Sequence, residues 1–204
     1  MTEIYQKNWM KLWTSQGYQL EKRTNFEKLD AYLKKPPLRI LDIGCGLAWE
    51  SRLFNQKYGT ELWLLDGDAS ANAVKLDTFG PEKANHGKWH NEVDSLYFYH
   101  PMEFLDQQLE TAGITNYHLV NANNINIPED IKFDVITSWL SCGFHYTALT
   151  YRDLILKHSH ADTVVTLDMR IPKRMDYPPL EPGMEIVSIV NQGRKHANAH
   201  VRFV

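Results

Sequence analysis

The sequence predicts one α/β domain built on a mostly parallel sheet, and three features predict it. Short apolar runs alternate with stretches of helical spacing, which implies parallel strands covered by helices on both faces. The first of these runs, Leu38 to Ile43, leads straight into the turn Gly44-Cys45-Gly46. Two final runs, Glu185 to Val190 and Ala199 to Val204, flank Asn191-Gln192-Gly193 with no helix between them. That hairpin adds an antiparallel strand at the C-terminal end.

The elements follow in order. Tyr5, Trp9 and Trp13 recur at the spacing of one helix face. A second helix is expected from Thr24-Asn25, both good N-cap residues, through Phe26, Leu29 and Leu33, ended by Pro36-Pro37. Residues 1–35 therefore read as N-terminal helices that can close over a core at 38–204. After the glycine turn a helix runs from Ala48 to Tyr58, then a buried strand from Leu62 to Leu65 ends on Asp66-Gly67. Ala69 to His100 is hard to read beyond a short helix at its start. Met102, Leu105 and Leu109 mark a helix ending before Gly113, and His118 to Val120 a strand ending at Asn121-Ala122. Phe133 to Leu140 and Thr163 to Asp168 are further strands, separated by a helix from Leu149 to His158. The total is seven strands.

Bulk properties narrow the function. Of 204 residues 43% are hydrophobic and 23% charged, ordinary for a folded soluble domain. A formal charge of −3 gives no electrostatic reason to bind nucleic acid, and a small-molecule partner is expected instead. No apolar run approaches the ~20 residues of a membrane span. The first residues lack the basic-then-apolar layout of a signal peptide. Cys45 and Cys142 are the only cysteines, and one lies in the glycine turn, so a reducing cytoplasm fits better than a disulfide.

Ligands of open α/β sheets bind at the carboxyl ends of the strands, where strand order reverses. Asp42-Ile43-Gly44-Cys45-Gly46 ends the first strand, and Asp66 ends the second about twenty residues later, placed to accept hydrogen bonds from a ribose diol. Either a dinucleotide or S-adenosylmethionine (SAM) fits so far. Trp49 stands where a dinucleotide loop needs glycine or alanine, and Asp42 would repel a pyrophosphate but suit an ammonium group. The closing hairpin also favours SAM.

Leu41-Asp42-Ile43-Gly44-Cys45-Gly46 resembles the first motif of class I SAM-dependent methyltransferases, and the likeness runs in order from Leu38 to Val204. The resemblance implies the three-layer, Rossmann-like methyltransferase fold. It also implies that Asp42, Gly44, Cys45 and Gly46 line the methionine part of SAM, that Asp66 and Gly67 meet the ribose, and that Asn121 and Ala122 lie by the adenine. Ser138 and Trp139 then open onto the transfer site. The chain departs from the family at Ala48, in place of a third glycine, and at Asn121, where aspartate is common.

Ser138-Trp139-Leu140-Ser141 lacks the Asn/Asp-Pro-Pro-aromatic tetrad of nucleobase amino-methyltransferases, which favours a hydroxyl acceptor. Ser141-Cys142-Gly143-Phe144-His145-Tyr146, with Tyr151, resembles sugar O-methyltransferases of bacterial polysaccharide clusters over that short stretch. His145, in the loop after the fourth strand, is the first candidate to take the acceptor's proton, and His100 the second. Both compete with a purely structural role. No histidine pair has a metal-ligand pattern, so no metal is expected, and His158 and His160 read as helix-end residues. Two other readings stay open: an NAD(P)-dependent oxidoreductase on the same loop, and a SAM-binding scaffold without turnover.

Overall fold

The computed structural model describes residues 11, 13–67, 101–143, 147–171, 175, 176, 178, 180–193 and 196–204. Strands β1 (Arg39–Ile43), β2 (Glu61–Asp66), β3 (Tyr117–Asn121), β4 (Val135–Ser138), β5 (Val164–Arg170), β6 (Met184–Gln192) and β7 (His196–Phe203) form one seven-stranded sheet in the order β3-β2-β1-β4-β5-β7-β6. The first five pair in parallel, while β7 runs antiparallel to both β5 and β6. The expected sheet is therefore present, with the last strand inserted between β5 and β6.

Helices α1 (Gln16–Tyr32), α2 (Trp49–Tyr58) and α3 (Met102–Thr111) supply Phe26, Leu29, Phe54, Leu105 and Leu109 to the core on one face, packed with Ile40, Leu62, Leu64 and Val135. The other face is covered differently. A 3-10 turn (Ala148–Tyr151), helix α4 (Arg152–His158) and the irregular stretch around Ile127 and Ile131 pack on Leu41, Leu65, Ile136 and Leu167. None of the helices among the described residues is long and apolar enough to cross a membrane.

Two boundaries differ from the sequence reading. Helix α1 begins at Gln16, not near Thr24, because the Ser15 hydroxyl caps it by accepting from Tyr18 N at 3.3 Å. Thr24 lies mid-helix with its hydroxyl donating to Leu20 O, the alternative use of a capping side chain. Strand β4 is only four residues long, since Leu140 adopts a left-handed φ of 55° that no strand accommodates. His158 ends its helix as expected, and it is buried there with its ring bonded to Ile131 O at 2.8 Å. Of the first expected helix, Tyr5 and Trp9 lie outside the described residues, as does the helix expected at Ala69.

The sheet is locked at its amino ends by Asp134, whose Oδ2 accepts from Leu38 N and Arg39 N at 2.8 and 3.1 Å. Its helix-bearing face is not uniformly apolar. Asp42, Thr137, Thr166 and His200 are register partners across β1, β4, β5 and β7, and all four are buried. His200 stacks on Tyr32 of α1 at 3.8 Å, and burial pulls its imidazole down to about 4, so it is neutral at physiological pH.

Phe54 meets Phe26 edge to face at 4.7 Å and joins α1 to α2. Phe54→Ala is expected to cost about 3–5 kcal/mol of unfolding free energy in urea titrations.

Candidate active site

Strand order reverses at β1, whose neighbours are β2 and β4. Their parallel crossovers leave in opposite directions and open a crevice at the carboxyl ends, where the glycine turn lies. Gly44 N and Cys45 N both donate to Leu65 O, at 2.7 and 3.2 Å, folding the turn onto the end of β2. Gly44 has φ 67°, and a Cβ there would lie 1.9 Å from Ser141 Oγ. Glycine is required for conformation and for space alike. Gly46, at φ 51°, has nothing within 4 Å of where its Cβ would be, so backbone faces open space there. Ala48 also takes a left-handed φ, 52°, before α2 starts.

Asp66 ends β2 with both oxygens engaged by backbone: Oδ2 accepts from Gly46 N at 2.6 Å and Oδ1 from Gly67 N at 2.7 Å. Those bonds fix the carboxylate plane at the end of β2, and the Cys45 thiol also points to Oδ2, at 3.9 Å. Beside it, β3 ends at Asn121, whose Oδ1 accepts from Asn123 N at 2.8 Å, and Ala122 N donates to Asp66 O. Across the crevice, Ser138 is wholly buried. Its hydroxyl donates to Ile43 O at 2.7 Å and accepts from Cys142 N at 2.8 Å. Ser138 thus welds the ends of β1 and β4 and has no hydrogen left to donate. Trp139 is buried next to it, and its indole Nε1 has no hydrogen-bond partner.

Acidic groups crowd this end of the sheet. Asp42 is buried, with Oδ2 accepting from Ser51 Oγ at 2.6 Å and Oδ1 unpartnered. Asp168, near the end of β5, accepts from Leu140 N at 3.0 Å and from Asn198 Nδ2 at 3.2 Å. Glu50, in the first turn of α2, pairs with Lys22 of α1 at 3.0 Å and accepts from Asn25 Nδ2 at 3.1 Å. Lys22 and Glu50 are buried charges, at 3% and 4% side-chain exposure. Arg52, two residues on, is buried as well, its guanidinium 5.0 Å from the Trp49 ring.

No protein-family model matches the sequence and no curated protein matches it. Solved structures match in fold. The chain aligns over 99% of its length with 71% of a mutant of MtNAS solved in complex with S-adenosylmethionine, at TM-score 0.59 and 12% identity. With MtNAS in complex with MTA and tNA, 100% of this chain and 68% of that one align at TM-score 0.58 and 11% identity. A SAM dependent methyltransferase from Aquifex aeolicus aligns over 88% of this chain and 89% of its own, at TM-score 0.56 and 12% identity. The fold is that of the class I SAM-dependent methyltransferases.

On this methyltransferase fold the residues singled out in sequence gather as follows. Asp42, Gly44, Cys45, Gly46, Asp66 and Gly67 meet at the ends of β1 and β2, and Asn121 and Ala122 adjoin them at β3. Ser138 and Trp139 stand opposite. His100 and His145 lie outside the described residues. Among the described residues no group of three or more His, Cys, Asp or Glu is placed to hold a metal ion. Cys142 is a buried packing residue, its thiol pushed well up by burial. Sequence reasoning missed Lys22 and Glu50. Each sits in an otherwise polar stretch of helix, where charged side chains are usually solvated, and nothing in the spacing marks them as buried.

Burial pushes the Asp42 carboxyl up to about 7, with Glu50 and Asp66 adding to the rise and Ser51 and Lys22 opposing it. Folded Asp42 therefore keeps a proton that the unfolded chain, near its ordinary 3.8, has lost. Stability falls as pH rises between those values, by at most about 4 kcal/mol. Asp42→Asn is expected to flatten this part of the profile and to be the more stable protein at pH 7.5, read by urea unfolding at pH 5 and 7.5.

Proposed function

We propose that the protein is an enzyme that transfers the methyl group of SAM to a hydroxyl of a small acceptor, with a sugar as the favoured class. The observation that carries the cofactor is the charge at the crevice. Asp42, Glu50, Asp66 and Asp168 are all buried, against two buried cations, Lys22 and Arg52, among the described residues. A site so rich in carboxylates favours a cation and disfavours phosphates. SAM brings a sulfonium and an ammonium against one carboxylate, whereas NAD and NADP bring a pyrophosphate. The fold it shares with the Aquifex aeolicus enzyme and with MtNAS, which has been solved with SAM, supports the same reading.

In this reading Gly44 and Gly46 let the methionine part lie against backbone, Asp66 holds the ribose diol, and Asn121 Oδ1 offers its remaining lone pair to the adenine amino group. Methyl transfer is an in-line displacement: the acceptor oxygen attacks the methyl carbon, the carbon–sulfur bond breaks, and the sulfonium becomes a neutral thioether. The acceptor's proton must leave, and His145 is the residue proposed to take it. Proximity and alignment of oxygen, carbon and sulfur supply most of the rate. The hydroxyl and sugar preferences rest on the sequence: the missing amine-holding tetrad and the stretch from Ser141 to Tyr146.

Thermal unfolding with SAM, S-adenosylhomocysteine, NAD and NADP tests the cofactor. A ligand at a hundred times its dissociation constant adds ~2.7 kcal/mol, a shift of roughly 5–10 °C for a domain of this size. A shift with the dinucleotides alone would sink the reading. Asp66→Ala is expected to abolish the SAM shift, and unchanged affinity would remove Asp66 from the ribose. With a panel of sugars as acceptors, turnover is read as methylated product plus S-adenosylhomocysteine. Methylthioadenosine in place of the latter would mean that a different arm of the sulfonium is transferred. His145→Ala is expected to lower turnover far more than SAM affinity.

A further inference from the structure

The far end of the sheet carries the opposite charge from the crevice. Arg170 ends β5, half-buried, and is the register partner of His196, the first residue of β7. Gly193 N donates to His196 O at 2.8 Å, and between those two residues the chain holds Arg194 and Lys195. After β5 it holds Lys173 and Arg174 between Ile171 and Asp176, and Asp176 O accepts from Gln192 Nε2 at the end of β6. Each of these four cations is within two residues of a placed neighbour, a reach of at most ~7 Å. Two separate segments therefore bring their positive charge to one rim, in a chain whose formal charge is −3.

Little opposes that charge locally. Asp168 is buried, its two oxygens accept from Asn198 Nδ2 and Leu140 N, and His196 lies near enough to act on it. Asp176 is the acid that remains between the two segments. The rim is also fastened to the loop assigned above to the acceptor. Arg170 N donates to Gly143 O at 3.0 Å, and a Cβ on Gly143 would lie 3.0 Å from Asp168 O, so the loop from Ser141 to Tyr146 passes directly over the end of β5. β5 is two strands from β1, about 10 Å, which separates an anion held there from the carboxylates around the glycine turn.

We propose that the methyl acceptor carries a phosphate ester, which Arg170 and His196 bind in the field of the lysines and arginines that flank them. This rests on the methyltransferase reading and narrows its acceptor to a phosphorylated sugar, as a monoester or as a nucleoside diphosphate sugar. A guanidinium matches phosphate oxygens in geometry as well as charge, and partial burial strengthens the attraction. The two ends of the site then select by opposite charge: acids around the glycine turn favour the cationic cofactor, and the basic rim favours an anionic acceptor.

Calorimetric titration of the full chain at low salt tests the rim, with pyrophosphate as the probe and S-adenosylhomocysteine as the control ligand. Arg170→Gln is expected to weaken pyrophosphate by about tenfold or more, the worth of a charge-assisted bond. A second variant, with Lys173, Arg174, Arg194 and Lys195 all changed to glutamine, leaves the strands untouched and should lose at least about tenfold as well. Both should keep S-adenosylhomocysteine within about twofold of wild type. Pyrophosphate that fails to bind wild type, or binds both variants equally well, overturns the assignment. Turnover with SAM is then compared across neutral sugars, their phosphate monoesters, nucleoside diphosphate sugars and RNA. A preference of about tenfold for one phosphorylated class over the neutral sugars is expected, and it identifies which source of phosphate the rim takes. Phosphorylated sugars turned over no faster than neutral ones, or than RNA, would sink the proposal. A wild-type chain that binds pyrophosphate but neither SAM nor its product brings down the methyl-transfer reading and the acceptor with it, an outcome distinct from loss of anion binding at the rim.

Discussion

Two loops cross at the carboxyl end of the sheet, and the site depends on how closely they pass. Gly44 after β1 lies so near Ser141 after β4 that no side chain fits between them. Ser138 reinforces the crossing by donating to Ile43 O and accepting from Cys142 N, so one hydroxyl holds both strand ends and the start of the second loop. Leu65 O closes the arrangement from the other side by accepting two amides of the glycine turn. The crevice is thus bounded by backbone that cannot shift without breaking buried hydrogen bonds, and preorganisation of that kind is what positions a ligand.

Charge is the second constraint. Four buried carboxylates in one corner of a small domain are expensive, because each prefers water. The structure moderates this with backbone amides on Asp66 and Asp168, with Ser51 on Asp42, and with Lys22 on Glu50. Asp42 is the least compensated, with one oxygen bonded by nothing, and its carboxyl rises accordingly. A protein whose acids were merely structural would gain from apolar replacements there. The cost is intelligible if a cationic ligand completes the set.

Much of this is legible from sequence because it follows short-range rules. A glycine pair after an apolar run, and an acid ending the next one, need only local geometry to be recognised, and the structure brings them together. Errors arise where one residue type serves two purposes. Thr24 has the chemistry of a helix cap and spends it on Leu20 O inside the helix. Leu140 looks like the end of a strand but turns left-handed to let Leu140 N reach Asp168. Lys22 is the clearest case, since a lysine in a polar helix is indistinguishable in one dimension from its solvated neighbours. The final hairpin is readable as a hairpin, but only tertiary pairing decides that its second strand inserts next to β5.

That insertion constrains the order of assembly. β6 precedes β7 along the chain yet lies outside it, so β6 has no partner in the sheet until β7 has docked. Synthesis runs from the N-terminus, and β5 emerges with one edge paired to β4 and the other bare. Val164–Arg170 therefore waits as an unpaired edge while the whole hairpin is made. Bare edges invite pairing with other chains, and late long-range contacts slow folding. For a nascent chain of this topology, the interval between the appearance of β5 and the docking of β7 is the time of greatest exposure to aggregation and the one in which a chaperone has most to protect.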